Sequence, residues 1–241
     1  MEKREREEGI LYVVGTPIGN LKDITLRAIE VLQEADFVVA ESRERALKLL
    51  SHLNIRKPVT TINSYNESSR AKAVVNQLLE GKMAALISAA GTPCISDPGD
   101  IVVRRSLEAG IRVEAVPGPS AAIAALSVSG LSPDRFFFYG FLPLKKGKKK
   151  KLLREALDGP HALVVYESPR RIVETLEIIR EEAPERMVAV YREMTKLHEE
   201  TIRGTIGEVV EQIQADGTRG EYTVVVEGRR KQAAGEREEL W

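Results

Sequence analysis

Residues 10–28 read ILYVVGTPIGNLKDITLRA, and this stretch decides the fold. Ile10–Val14 is an unbroken apolar run rich in β-branched residues, the pattern of a strand buried on both faces. Gly15-Thr16-Pro17 breaks it. Beyond the break Ile24, Ala28, Val31, Leu32 and Ala35 recur at helical spacing on one face, with Asp23 as the expected N-cap. The same strand–turn–helix order repeats downstream. Strands are expected at Phe37–Ala40, Val59–Ile62, Ala84–Ser88 and Ile111–Val116, and a helix carrying Val74, Val75, Leu78 and Leu79 ends at Gly81. Strands alternating with helices predict an α/β sheet with mostly parallel strands.

Pro117-Gly118-Pro119-Ser120 resets the pattern, since neither proline nor glycine continues a strand. Strands are then expected at Phe136–Phe141, Ala162–Tyr166, Met187–Arg192, Glu200–Arg203 and Tyr222–Val226. Helices are expected over 148–157, 169–182 and 206–215, the second opened by Ser168 as N-cap and Pro169 at the first helical position. Short links between the late strands predict antiparallel pairs. The expectation is two α/β domains, 1–117 and 118–241, with charged, frayed ends at 1–9 and 229–240.

Hydrophobic residues make up 43% and charged residues 30% of the 241, enough for a sizeable core. A formal net charge of zero argues against binding nucleic acid by overall charge and leaves room for a local basic patch. That patch is Lys145-Lys146-Gly147-Lys148-Lys149-Lys150-Lys151, which suits RNA phosphates as well as it suits a solvated loop. Tyr65, Arg43, Arg70, Arg170 and Arg171 are further candidates for an RNA-facing surface. One cysteine, Cys94, excludes an internal disulfide and a multi-thiolate zinc site. His52, His161 and His198 stand apart, so no metal is expected. The charged start has no apolar core of a secretory signal, and no apolar run approaches the about 20 residues needed to span a membrane. A cytoplasmic protein is expected.

Three loops carry the chemistry. Gly15 and Gly19 in GTPIGN let backbone approach a ligand, although a tight strand-to-helix turn needs the same residues. The second loop, in ALISAAGTPCISDPG at 85–99, also follows a strand, where ligands of parallel sheets bind. Its Asp97 suits either a ligand contact or an Asx-turn. In PGPSA at 117–121, Ser120 and the small residues after it suit a closely packed helix start.

Taken with AE at 40–41, LSPDRFFFYGFLP, YESPRR at 166–171, REMTK at 192–196 and RGTIGEV at 203–209, these stretches resemble the tetrapyrrole methylase superfamily. Within it the sequence is most similar to the ribosomal RNA small subunit methyltransferase I family, from Leu11 to Gly228. The resemblance implies two α/β domains with S-adenosylmethionine in the cleft between them, and a homodimer. It implies methylation of a cytidine ribose 2′-oxygen in the decoding region of 16S ribosomal RNA, as free RNA or in the 30S subunit. Carried over position by position, it implies cofactor contacts at Pro17, Ala90, Gly91, Thr92, Ile95, Ser120, Ala121, Glu167 and Met194.

A ribose hydroxyl is a poor nucleophile and benefits from a base. The candidates are Glu41, Asp97, Glu167 and Lys196, the lysine requiring a depressed pKa or acting by its charge on the developing alkoxide. Three positions depart from the family's usual residues. Ala89 stands where SDAGTP has Asp, Ser42 follows Ala40-Glu41 where Asp is usual, and Arg170 follows YESP where His is usual. Two other readings therefore stay open: a methylase of a small molecule such as a tetrapyrrole, and a non-catalytic RNA- or ribosome-binding paralogue.

Overall fold

The computed structural model describes residues 9–63 and 65–229. They form two compact units, one ending at Ser120 and the other beginning at Ala121. The first unit follows from the alternation of its sequence. β1 (Ile10–Val14), β2 (Phe37–Ala40), β3 (Val59–Thr61), β4 (Met83–Ile87) and β5 (Arg112–Val116) make one sheet in the order β3-β2-β4-β1-β5. All four pairings are parallel, for example Tyr12 opposite both Ala85 and Glu114. Parallel neighbours require crossovers, which are α1 (Leu26–Glu34), α2 (Arg43–His52), α3 (Glu67–Leu79) and α4 (Asp100–Glu108).

The two faces of this sheet are packed by different helices. Met83, Ala85 and Ile87 meet Ala28, Val31, Leu32, Ala46, Leu49 and Leu50 of α1 and α2 on one side. Ala84 and Leu86, pointing the other way, meet Ala71, Val74, Val75 and Leu78 of α3 and Val102 of α4. β1 thus leads into a helix on one face and its neighbour β4 into a helix on the other. Their loops diverge above the carboxyl ends of adjacent strands, the switch point at which open α/β sheets bind ligands.

In the second unit β6 (Phe136–Phe141), β7 (Ala162–Glu167), β8 (Met187–Arg192), β9 (Glu200–Thr205) and β10 (Tyr222–Val226) form a mixed sheet in the order β6-β7-β10-β8-β9. β6 and β7 are parallel and the other three pairings are antiparallel; of these only β8–β9 joins strands connected by a short link, while β10 pairs with β7 and β8 across longer stretches of chain. α5 (Ala121–Ser127) covers one face, while α6 (Lys146–Leu157), α7 (Ile172–Glu182) and α8 (Ile206–Asp216) cover the other. α8 opens with a capping box, Thr205 and Glu208 each satisfying the other's backbone N–H.

Several expectations are corrected. Asp23 does not cap α1. It lies in a one-turn 3-10 helix, Leu21–Asp23, and Thr25 takes the cap by accepting from the Ala28 N–H at 3.1 Å. Ser168-Pro169 does not start α7; the Ser168 carbonyl accepts from the Arg171 and Ile172 N–H groups in a turn, and the helix begins at Ile172. α6 starts at Lys146, two residues before the expected 148, so all of the lysine run but Lys145 is helical. The expected frayed ends fall largely on 1–8 and 230–241, outside the described residues. Among the described residues no helix is long and apolar enough to cross a membrane.

Candidate active site

The two Gly-Thr-Pro turns are bonded to each other. Thr16 N–H donates to the Gly91 carbonyl at 2.9 Å, and Gly91 N–H donates to the Thr16 carbonyl at 3.0 Å. Thr16, only 3% exposed, also points its hydroxyl at the Gly91 carbonyl, 3.4 Å away. Ser88 Oγ lies 3.1 Å from the Ala90 carbonyl and 3.3 Å from that of Gly91. The loop after β5 joins the assembly, since Gly15 N–H donates to the Val116 carbonyl at 3.0 Å and Thr92 Oγ1 donates to the Pro119 carbonyl at 3.4 Å.

This packing corrects the reading of Gly15. A Cβ there would lie 2.8 Å from the Cα and the nitrogen of Gly118, so its bareness admits a neighbouring loop rather than a ligand. Gly91 needs to be glycine for its backbone, at φ +79°. Further along the same loop Cys94 (φ 68°) and Ser96 (φ 64°) adopt left-handed conformations that non-glycine residues rarely hold. Such strain persists only where surrounding contacts over-determine it, and it clusters at functional sites.

Pro17 and Gly91 are buried, Ala89, Ala90, Thr92 and Ser120 are half-buried, and Ile95 is 50% exposed. The stretch 89–91 thus presents backbone and methyl groups only. On the same rim Glu41, at the end of β2, acts electrostatically on Asp97. Burial pushes the Asp97 carboxyl up to about 6, and the Glu41 charge adds to the rise; a hydrogen bond from Ser88 and the charge of Arg45 act in the opposite sense. Two of the candidate bases, Glu41 and Asp97, are therefore brought together, and one titrates near neutrality.

The candidates of the second unit fare differently. Glu167 is 2% exposed and committed. It accepts from Ser168 N–H at 2.9 Å, from Arg171 Nη2 at 3.1 Å and from Thr175 Oγ1 at 2.7 Å. Arg171 also donates to the Leu142 carbonyl at 2.7 Å, so its guanidinium belongs to this buried network and not to an RNA-facing surface. Met194 packs partly buried against the cluster of Ala122, Ala125 and Leu126, near Tyr166, whose hydroxyl accepts from the Ala122 N–H at 3.2 Å. Lys196 donates to Glu193 Oε1 at 2.8 Å and to Glu221 Oε2 at 2.9 Å. Burial alone would lower its pKa, but the two carboxylates outweigh it and hold the ammonium above its ordinary value, which removes the depressed-lysine reading. Glu193 (φ 54°) and Thr195 (φ 65°) make this REMTK turn the second strained segment.

The lysine run also divides. Lys149 is fully buried, bonded to Glu174 at 2.6 Å and Thr175 at 3.3 Å, and Lys150 meets Glu181 at 2.8 Å. Lys145, Lys146, Lys148 and Lys151 face solvent. Sequence reasoning missed Thr16, Ser88 and Arg45, and also Glu67, whose side chain reaches the 89–99 loop from α3. Ser42, one of the departures, caps α2 by accepting from Arg45 N–H at 3.3 Å; Asp and Ser are comparable caps, so the exchange preserves the helix start. Among the described residues no group of three His, Cys, Asp or Glu side chains is placed to hold a metal.

Comparison with known proteins places this geometry. Residues 10–210 match the family model of tetrapyrrole (corrin/porphyrin) methylases. The ribosomal RNA small subunit methyltransferase I of Coprothermobacter proteolyticus is 47% identical over 217 residues, covering 90% of this chain and 97% of that one. Its namesake from Thermotoga maritima is 43% identical over 222 residues, covering 92% and 99%. The solved uroporphyrin-III-C-methyltransferase of Thermus thermophilus shares the fold at a TM-score of 0.63 and 22% identity, covering 91% of this chain and 94% of that one. The chain belongs to the tetrapyrrole methylase family and, within it, to the ribosomal RNA small subunit methyltransferase I family, enzymes that take their methyl group from S-adenosylmethionine.

Proposed function

We propose that this protein methylates the ribose 2′-oxygen of a cytidine in the decoding region of small-subunit ribosomal RNA, as a cytoplasmic homodimer. The observation that carries the reading is the rim of the first sheet. There the β1 and β4 loops are bonded together at the switch point, and Asp97, titrating at about 6, faces the charge of Glu41. The residues fit the cofactor: stretch 89–91 sets no side chain larger than a methyl in the way, Ile95 offers a half-exposed apolar surface, and two carboxylates suit a sulfonium cation. Pro17, Ala90, Gly91, Thr92, Ile95, Ser120 and Ala121 would hold it. Within the second unit Glu167 fixes the turn after β7, since its oxygens are already taken, and Met194 lies partly buried against α5.

S-adenosylmethionine supplies an electrophilic methyl on a positively charged sulfur. Asp97 accepts the proton of the attacking hydroxyl, and Glu41 keeps it basic enough to do so near neutral pH. Lys145, Lys146, Lys148 and Lys151 offer phosphate contacts, and Arg45, whose charge acts on Asp97, adds positive charge beside the rim. The Asp97–Glu41 pair favours an enzyme over a non-catalytic binder. The homodimer is supported by β6, an edge strand whose Phe137, Tyr139 and Phe141 are 48%, 42% and 59% exposed. The test is transfer of labelled methyl from S-adenosylmethionine to 30S subunits from a strain lacking the endogenous family member. Label in the small-subunit RNA supports the reading; cofactor binding without label in that RNA would overturn the substrate.

A further inference from the structure

We infer that Glu67 is a positioning residue for the methyl-transfer site, its buried carboxylate fixing the β4–α4 loop that carries Asp97. The inference rests on the function proposed above. Glu67 is the first residue of α3, yet its side chain is 3% exposed and leaves its own helix. One oxygen, Oε1, accepts from three backbone N–H groups: Gly99 at 3.0 Å, Ile101 at 2.9 Å and Val102 at 3.4 Å. Those are the N-terminal amides of α4, whose own N-cap is Gly99 and supplies no side chain. A helix start needs acceptors for its free amides, and a carboxylate there is also favoured by the helix dipole. Here the acceptor comes from another element, so the position of the loop depends on α3.

The loop needs such a tether. Between Gly91 and Gly99 it holds Cys94 and Ser96 at positive φ and ends on Gly99 at φ +133°. At its upstream end it is held by the Thr16–Gly91 pair; at its downstream end it is held by Glu67. α3 is in turn well anchored. Asn63 Oδ1 accepts from the Tyr65 and Asn66 N–H groups at 3.0 Å each, and Arg105 of α4 donates to the Ser68 hydroxyl at 2.9 Å. Asp97 lies two residues from the first tethered amide, so loss of the tether displaces and rehydrates it.

The experiment uses the full chain with Glu67→Ala, which removes the acceptor, and Glu67→Gln, which keeps an oxygen at the same reach. Wild type is first titrated with S-adenosylmethionine by calorimetry. Absence of binding there overturns the proposed function, whereas binding with an unaffected Glu67→Ala overturns this inference alone. For Glu67→Ala the expected result is a fall in kcat of about tenfold or more, the scale of a displaced catalytic group. The acid limb of its pH–rate profile should move from about 6 towards the ordinary carboxylate range, and the Gly99–Val102 amides should exchange faster. Glu67→Gln should keep kcat within about threefold of wild type, with its acid limb in place. A Glu67→Ala protein that is less heat-stable but unchanged in kcat and acid limb has a merely structural Glu67 and refutes the inference. Should Glu67→Ala not fold, Glu67→Asp, one methylene short, takes its place: a lower kcat with a displaced acid limb supports the inference, and an unchanged kcat and acid limb refute it.

Discussion

Asp97→Asn separates stability from activity in opposite directions. In the folded protein the Asp97 carboxyl titrates at about 6 against an ordinary value of 3.8, burial being the main cause and Glu41 the second. The folded state therefore holds this proton more tightly than the unfolded chain does. Its contribution to stability is fully present below about pH 4 and is lost as pH rises to about 6. That difference corresponds to about 3 kcal/mol, which screening at this partly exposed loop reduces to about 1–2 kcal/mol. Asparagine is a neutral mimic of the protonated acid. At pH 8 the variant should be more stable by that amount, about 3–6 °C in Tm for a cooperative unit of this size, and at pH 4 the difference should vanish. The base is meanwhile gone, so kcat should fall about 10²- to 10⁴-fold. Thermal melts at pH 4, 6 and 8, beside single-turnover methyl transfer, measure both. A variant less stable than wild type at pH 8, or a Tm difference independent of pH, would refute the desolvated-carboxylate reasoning.

Wild-type kcat should rise with pH through about 6 and then level off, because Asp97 acts ionised; a flat profile from pH 5 to 8 would remove it as the base. Gly15→Ala forces a Cβ to within 2.8 Å of Gly118 backbone, which should cost about 1–3 kcal/mol in urea unfolding and weaken cofactor binding. Glu167→Ala leaves Arg171 and Thr175 without their buried acceptor and should cost about 3–5 kcal/mol, read by the same unfolding assay; a loss of activity with unchanged stability would instead argue for direct cofactor contact. Replacing Lys145, Lys146, Lys148 and Lys151 together by alanine should reduce the salt slope of RNA binding by up to about 3, roughly 0.7–0.9 for each phosphate no longer neutralised, with folding intact. Lys149→Ala should unfold the region around Glu174 instead, since Lys149 is buried there.

The fold was largely legible because its signals are local. The runs at Ile10–Val14, Phe37–Ala40, Phe136–Phe141, Met187–Arg192 and Tyr222–Val226 coincide with strands, since each is rich in β-branched or aromatic residues and is closed by a turn or a charged segment. Helix starts were less legible. Thr25 and Asp23 are both good caps, and only the 3-10 turn at Leu21–Asp23 decides between them. The site was legible only in part. Its glycines and Asp97 stand out in their loops, but what each does depends on partners distant in sequence. Gly15 faces Gly118, Ser88 and Glu41 both act on Asp97, and Glu67 reaches amides more than 30 positions away. Lys149 shows the same limit: one residue in a solvated lysine run is buried because α7 places Glu174 and Thr175 against it.

Nucleotide-resolution mapping of ribose methylation tests directly whether this protein methylates a decoding-region 2′-oxygen through Asp97. 30S subunits from a strain without the endogenous family member, and the RNA extracted from them, are each treated with S-adenosylmethionine and either wild type or Asp97→Asn, and the RNA is then digested and read by mass spectrometry. One new 2′-O-methylcytidine in the decoding region is expected with wild type, and little or none with Asp97→Asn over the same time. A methyl group on a base, or an unmodified decoding-region ribose in the presence of a cofactor-binding wild type, would contradict it.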